Sequence, residues 1–181
     1  MATFRRSVVP GATYFFTVNT YQRRKVLTDA PFYPALKQAF LQVKALRPFT
    51  IEAFVLLPDH LHCIWTLPPD DSDYAARWNI IKRQASQATR NEVAPLLSAS
   101  RIARRESGLW QRRFWEHQIR DEWDFARHVD YIHWNPVKHG YVSHVVDWPH
   151  SSFHRYVQQG KYHVDWGADN EIAFGHDIGN E

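Results

Sequence analysis

The chain has 181 residues, 44% of them hydrophobic and 23% charged, which fits one domain with a substantial core and excludes wholesale disorder. No apolar run approaches the ~18–20 residues that span a bilayer, and Met1 to Pro10 lacks a signal peptide's apolar stretch, so a cytoplasmic protein is expected. The single cysteine, Cys63, excludes an internal disulfide and a cysteine-rich zinc site, while the net charge of +3 beside eight Trp, eight Tyr and eleven Phe fits a polyanion whose bases stack on rings.

Residues 12–20 are rich in aromatic and β-branched types and predict a strand, opened by Gly11. A basic turn, Gln22-Arg23-Arg24-Lys25, leads to a helix announced by Thr28-Asp29-Ala30-Pro31, with Leu36, Phe40, Val43 and Leu46 at helical spacing and Pro48 as its stop. Ile51–Leu57 and Leu61–Leu67 are apolar runs around Pro58-Asp59, a strand hairpin. After the acidic loop Pro68 to Asp73, residues 74–91 place Trp78, Ile81, Ala85 and Ala88 on one helical side and Arg77, Lys82 and Arg83 on the other. Residues 98–108 hold Arg101, Arg104 and Arg105 with few core formers and predict a mobile basic loop. Trp110 to Ile119 suits a strand, and Asp121 to Asn135 a helix, with Phe125, Val129 and Ile132 buried and Pro136 ending it. This order predicts an α+β, ferredoxin-like domain over 1–166, a four-stranded antiparallel sheet with helices on one face. Beyond residue 160 stand only Lys161 against Asp165, Asp169, Glu171, Asp177 and Glu181, which leaves 21 Lys+Arg against 14 Asp+Glu, net +7, on residues 1–160. Residues 167–181 read as an acidic, mobile tail able to sample that basic body.

Two groups of residues carry chemistry. In Pro58-Asp59-His60-Leu61-His62, residues two apart on a strand share a face, so His60 and His62 can offer imidazole nitrogens to one cation. Chance also places two of eleven histidines at that spacing, and a lone pair is weak. In Asp130-Tyr131-Ile132-His133-Trp134-Asn135-Pro136, Tyr131 and Asn135 are one helical turn apart. They turn away from the Phe125/Val129/Ile132 stripe, which exposes a phenol and an amide together, with Asp124 and His128 near the same side.

Leu57-Pro58-Asp59-His60-Leu61-His62, Trp110-Gln111-Arg112-Arg113-Phe114-Trp115-Glu116-His117 and Tyr131-Ile132-His133-Trp134-Asn135-Pro136-Val137-Lys138-His139-Gly140 follow one another at spacings similar to those of the single-tyrosine HUH transposases of IS200-like elements. Tyr14-Phe15-Phe16-Thr17-Val18 and Asp147-Trp148-Pro149-His150-Ser151-Ser152-Phe153 make the likeness greatest to the REP-associated tyrosine transposases, over roughly residues 4–166. The resemblance implies a histidine pair, His60 and His62, holding a divalent ion, Mg²⁺ or Mn²⁺, and Tyr131 as a nucleophile toward DNA. It places Asn135 as the third ligand, with Glu116 as the alternative. It further implies single-stranded DNA hairpins of REP type as partner, a 5′-phosphotyrosine product, strand rejoining without ATP, and a monomer.

Phosphate contacts are expected from Arg5, Arg6, Arg23, Arg24, Lys82, Arg83, Arg101, Arg104, Arg105, Arg112 and Arg113, and base stacking, if any, from Trp78, Trp110 or Trp115. The competing readings are a non-catalytic, domesticated module that only binds nucleic-acid hairpins, and a metal hydrolase acting on a small phosphoester. A covalent protein–DNA adduct separates them from the transposase.

Overall fold

The computed structural model describes residues 8–93 and 108–167. Arg5, Arg6, the expected basic loop with Arg101, Arg104 and Arg105, and all but the first residue of the expected acidic tail lie outside them.

Alternation along the strands sets the architecture. In β1 (Thr13–Asn19), Tyr14, Phe16 and Val18 point to one face and Phe15 to the other, so both faces are apolar. β2 (Thr50–Leu56) and β3 (His60–Thr66) form the hairpin, and β4 (Trp115–Gln118) is the last strand. The sheet runs β2-β3-β1-β4 with every pair antiparallel, the ferredoxin-like order. A sheet with two apolar faces needs two covers. α1 (Phe32–Leu46) and α2 (Tyr74–Ala88) lie together on the Tyr14/Phe16/Val18 face, where Trp65 stacks on Trp78 at 4.3 Å. Beyond α2 lies a single helical turn, α3 (Arg90–Val93). The expected one-sided helical layer therefore holds for α1 and α2, whereas α4 (Glu122–Lys138) packs Val129, Tyr131 and Ile132 against Phe15, Val55 and Ile64 on the opposite face.

Four local expectations are corrected. Leu46, read as part of the α1 core stripe, is 78% exposed, and Ala39 takes the buried place. Arg77 does not share the solvent side of α2 with Lys82 and Arg83. It is fully buried, pairing with both Asp71 carboxylate oxygens (3.1 and 2.7 Å) and donating to the carbonyls of Arg47, Pro48 and Asp73. Those carbonyls and the acid repay a guanidinium's burial, which no apolar side chain could do. Trp110 to Ile119 forms a strand only over Trp115–Gln118; Trp110 is buried in the core and makes one bridge to Thr20. Pro136 does not end α4 but sits in its last turn, where its missing N–H removes only one terminal bond.

Beyond α4 the chain returns to the free edge of β2. Leu56 N–H donates to His150 O (2.9 Å) and Ser152 N–H to Phe54 O (2.8 Å), which covers that edge before α5 (Phe153–Gln158). No helix among the described residues is long and apolar enough to cross a membrane.

Candidate active site

β3 opens with His60 and His62, both fully buried and on the α4 face of the sheet. Each ring is fixed through Nδ1. Asp59 Oδ1 lies 2.7 Å from His60 Nδ1, and because a carboxylate only accepts, that nitrogen carries the proton. Asp59 Oδ2 pairs with Arg23 Nε at 2.9 Å, and Arg23 Nη1 donates to Asn19 Oδ1 at 2.7 Å. Burial pushes the Asp59 carboxyl up, but the hydrogen bond from His60 and the charge of Arg23 outweigh it and hold it below its ordinary value. Arg23 reaches Asp59 from a turn in which Gln22 and Arg23 both have positive φ (55° and 54°), a costly conformation for residues with a Cβ. His62 Nδ1 shares a 2.9 Å hydrogen bond with Thr17 Oγ1, its partner across the β1–β3 ladder, and its ring stacks on Phe15 at 5.4 Å. With both Nδ1 atoms engaged, Nε2 is the nitrogen each ring would present to a cation.

α4 faces this pair. Asp121 caps its start, accepting from Asp124 N–H at 2.8 Å, which sets the helical phase. Asp124, His128, Tyr131 and Asn135 then fall on one side, and all four are buried. The exposed phenol and amide expected from sequence are thus corrected: that polar stripe is turned toward the sheet. Tyr131 meets His62 edge-on at 5.2 Å, and His139, two turns further on, meets His60 at 5.1 Å. Asn135, one turn after Tyr131, falls on the same side of α4 and is likewise buried. Lys138 Nζ donates to Tyr131 Oη at 3.1 Å and lies 4.8 Å above its ring.

Glu116, the alternative third ligand, is placed elsewhere by register. It pairs with Phe16, so it faces α1 and α2, on the far side of the sheet from His60 and His62. Four supporting residues went unassigned in the sequence reading: Thr17, Asp59, Lys138 and His139. An acid directly before the histidine pair was a visible signal for Asp59; the others depend on tertiary contacts.

Among the expected phosphate contacts, Arg23 is paired with Asp59, and Arg24 Nε donates to Tyr21 O at 3.3 Å. Lys82 donates to the carbonyls of Gln111 (2.5 Å) and Arg112 (3.3 Å), fastening α2 to the segment before β4. Arg83, Arg112 and Arg113 are exposed. Trp78 and Trp110 are core residues, while Trp115 is partly exposed beside Phe15.

Residues 8–135 match the family model "Transposase IS200 like", a span that runs from β1 through both histidines to Tyr131 and Asn135. A REP-associated tyrosine transposase of Escherichia coli K12 is 46% identical over 169 residues, 93% of each chain. The chain belongs to the REP-associated tyrosine transposases of the IS200-like family. A protein of Haemophilus influenzae is 44% identical over 179 residues, covering 98% of this chain and all of that one. A solved structure of a REP-associated tyrosine transposase bound to a REP hairpin matches with a TM-score of 0.76 and 43% identity, over 99% of this chain and 100% of that one. Membership makes the chain a transposase, an enzyme that cuts and rejoins DNA strands, and the four-stranded α+β fold agrees with that structure.

Proposed function

We propose that the protein cleaves and rejoins one DNA strand at hairpins of REP type, with Tyr131 as the nucleophile and His60, His62 and Asn135 as the ligands of a divalent ion, Mg²⁺ or Mn²⁺. The observation that carries this reading is the edge contact of the Tyr131 ring with His62, which brings a buried phenol to the histidine pair. The donor set fits such an ion: two imidazoles whose Nδ1 atoms are already held by Asp59 and Thr17, and one amide oxygen, all neutral, so the ion's charge is left for phosphate. When bound, the ion supplies Lewis-acid withdrawal of charge from the scissile phosphate.

Tyr131 Oη forms a bond to phosphorus as the bond from phosphorus to the 3′-oxygen breaks; the phenol gives its proton to water, and the 3′-oxygen takes one from water. Lys138, donating to Oη, favours the negative charge that gathers there during attack. The product is a 5′-phosphotyrosine and a 3′-hydroxyl, and attack by a 3′-hydroxyl on that ester reverses the step and joins strands. One nucleophile cuts one strand, which favours single-stranded DNA beside a hairpin foot, and the net basic charge of residues 1–160 supports a polyanion as partner.

The test is a labelled hairpin with a single-stranded flank, incubated with Mg²⁺ or Mn²⁺ and run on a denaturing gel. The wild type is expected to give a covalent adduct and Tyr131→Phe none, with hairpin affinity retained. An adduct that persists in Tyr131→Phe refutes the assignment of the nucleophile, and cleavage that proceeds fully in EDTA refutes the metal.

A further inference from the structure

Asp124 and His128 stand one turn apart on the buried side of α4, and His117 meets them from β4, where it pairs with Phe15 across the ladder. His117 Nε2 lies 2.8 Å from Asp124 Oδ2. His128 Nδ1 lies 3.1 Å from Asp124 Oδ1 and 2.8 Å from the Asp124 carbonyl oxygen. The two imidazoles are face to face, 4.7 Å apart and 13° from parallel, so one ring must turn for nitrogens of both to meet a single ion. One donor atom from each residue falls within 4.8 Å of the other two. The Phe15 ring stands between this cluster and the catalytic histidines, 4.8 Å from His128 and 5.4 Å from His62.

We propose that His117, Asp124 and His128 form a second cation site, separate from the His60/His62 pair, which takes a divalent transition-metal ion and fastens β4 to the first turn of α4. Two imidazoles and one carboxylate are a donor set for Zn²⁺, Co²⁺ or Mn²⁺, whereas Mg²⁺ prefers oxygen. The protonation states suit ligation. Burial holds His128 below its ordinary value and so neutral. Burial pushes Asp124 up, but hydrogen bonds from His117 and Arg120 outweigh it and bring its carboxyl down to about 2.

A hydrogen-bonded trio alone would explain how Asp124 is oriented. It does not explain His128 Nε2, which is buried and has no hydrogen-bond partner among the described residues. The competing cations are Arg120, whose N and Nε donate to Asp124 Oδ2 at 3.0 and 3.2 Å, and Arg127, whose charge also reaches His128. The Arg120 side chain is 71% exposed and can swing into solvent, and His117, at 23%, opens the cluster to it. The site matters to the reaction because Tyr131 follows Asp124 by two turns on the same side of the same helix.

The experiment needs no DNA, and only the second equivalent of the wild type rests on the proposed His60/His62 site, so the two readings fail separately. The full chain is stripped with chelator and titrated with Co²⁺, read by its visible absorption and by bound metal after gel filtration. The wild type is expected to take two equivalents and the His60→Ala/His62→Ala variant one. Adding His117→Gln to that variant should weaken the remaining site by at least about tenfold. His117 is partly exposed near a strand end, so Gln should not disturb folding, and circular dichroism checks this. If the His60/His62 variant does not fold, His117→Gln in the wild-type background reads the same loss, from two equivalents to one. A His60→Ala/His62→Ala variant that folds and binds no Co²⁺, or binding that His117→Gln leaves unchanged, overturns the proposal.

Discussion

Replacing Asp59 tests whether His60 acts as a metal ligand held by its neighbour. The carboxylate accepts from His60 Nδ1 at 2.7 Å and from Arg23 Nε at 2.9 Å, so it fixes both the ring's orientation and the nitrogen that carries the proton. Asp59→Asn keeps the shape and one acceptor oxygen but removes the charge. A hydrogen bond to a charged group contributes about 1.5–3 kcal/mol against about 1 for a neutral one, a difference of about 1 kcal/mol, or roughly fivefold in metal affinity. Asp59→Ala removes the acceptor altogether and should reach the roughly 10–100-fold loss that follows when the outer partner of a ligating histidine is deleted. Arg23 is partly exposed and can hydrate once unpaired, so both variants should stay folded. The assay is single-turnover adduct formation at saturating hairpin across a Mn²⁺ series. The half-saturating Mn²⁺ concentration should rise in the order wild type, Asn, Ala, with the maximum rate largely recovered at high Mn²⁺. An Ala variant with wild-type half-saturation would refute the role of Asp59. A rate lowered equally at every Mn²⁺ concentration would make Asp59 a residue of the fold and not of the metal site.

Lys138→Met should slow single-turnover adduct formation about 10–100-fold, the equivalent of one charge-assisted hydrogen bond of about 1.5–3 kcal/mol, while Lys138→Arg restores part of it and hairpin affinity changes little; a Met variant that cuts at the wild-type rate refutes the contact. The Asp124 carboxyl is lowered from 3.8 to about 2, so the stability it contributes is complete above about pH 4 and is lost as pH falls toward 2. Asp124→Asn should therefore cost about 2 kcal/mol at pH 7, measured by urea unfolding, and show a shallower stability loss between pH 4 and 2; equal pH profiles would refute the shift. Hairpin affinity should fall with salt by a log–log slope of roughly 0.7–0.9 per neutralised phosphate, and Arg112→Ala/Arg113→Ala should flatten it by up to about two such steps; an unchanged slope would place both away from the DNA.

The sheet order was legible because Tyr14-Phe15-Phe16-Thr17-Val18 and the runs around Pro58-Asp59 have the period of strands and turn residues between them. The second helical layer was not expected from the sequence, although adjacent Phe15 and Phe16 cannot both be buried by one cover, and α4 supplies the other. The error on α4 has a single physical source. Binary patterning assigns the apolar stripe inward and the polar stripe outward, yet Asp124, His128, Tyr131 and Asn135 are buried, because histidines on β3 and β4 give that polar face something to meet. Arg77 misleads in the same way: a buried charge is stable only where partners converge, and Asp71 and the Asp73 carbonyl, from the loop just before α2, are joined by the carbonyls of Arg47 and Pro48 from a segment distant in sequence. Residue type and helical phase therefore revealed which side chains share a face. Whether that face meets water or another polar face was decided by the register of strands that sequence does not print. His117 shows the consequence most plainly. One residue of slip in β4 would exchange it with Glu116, remove the imidazole from Asp124, and bring a second carboxylate beside it.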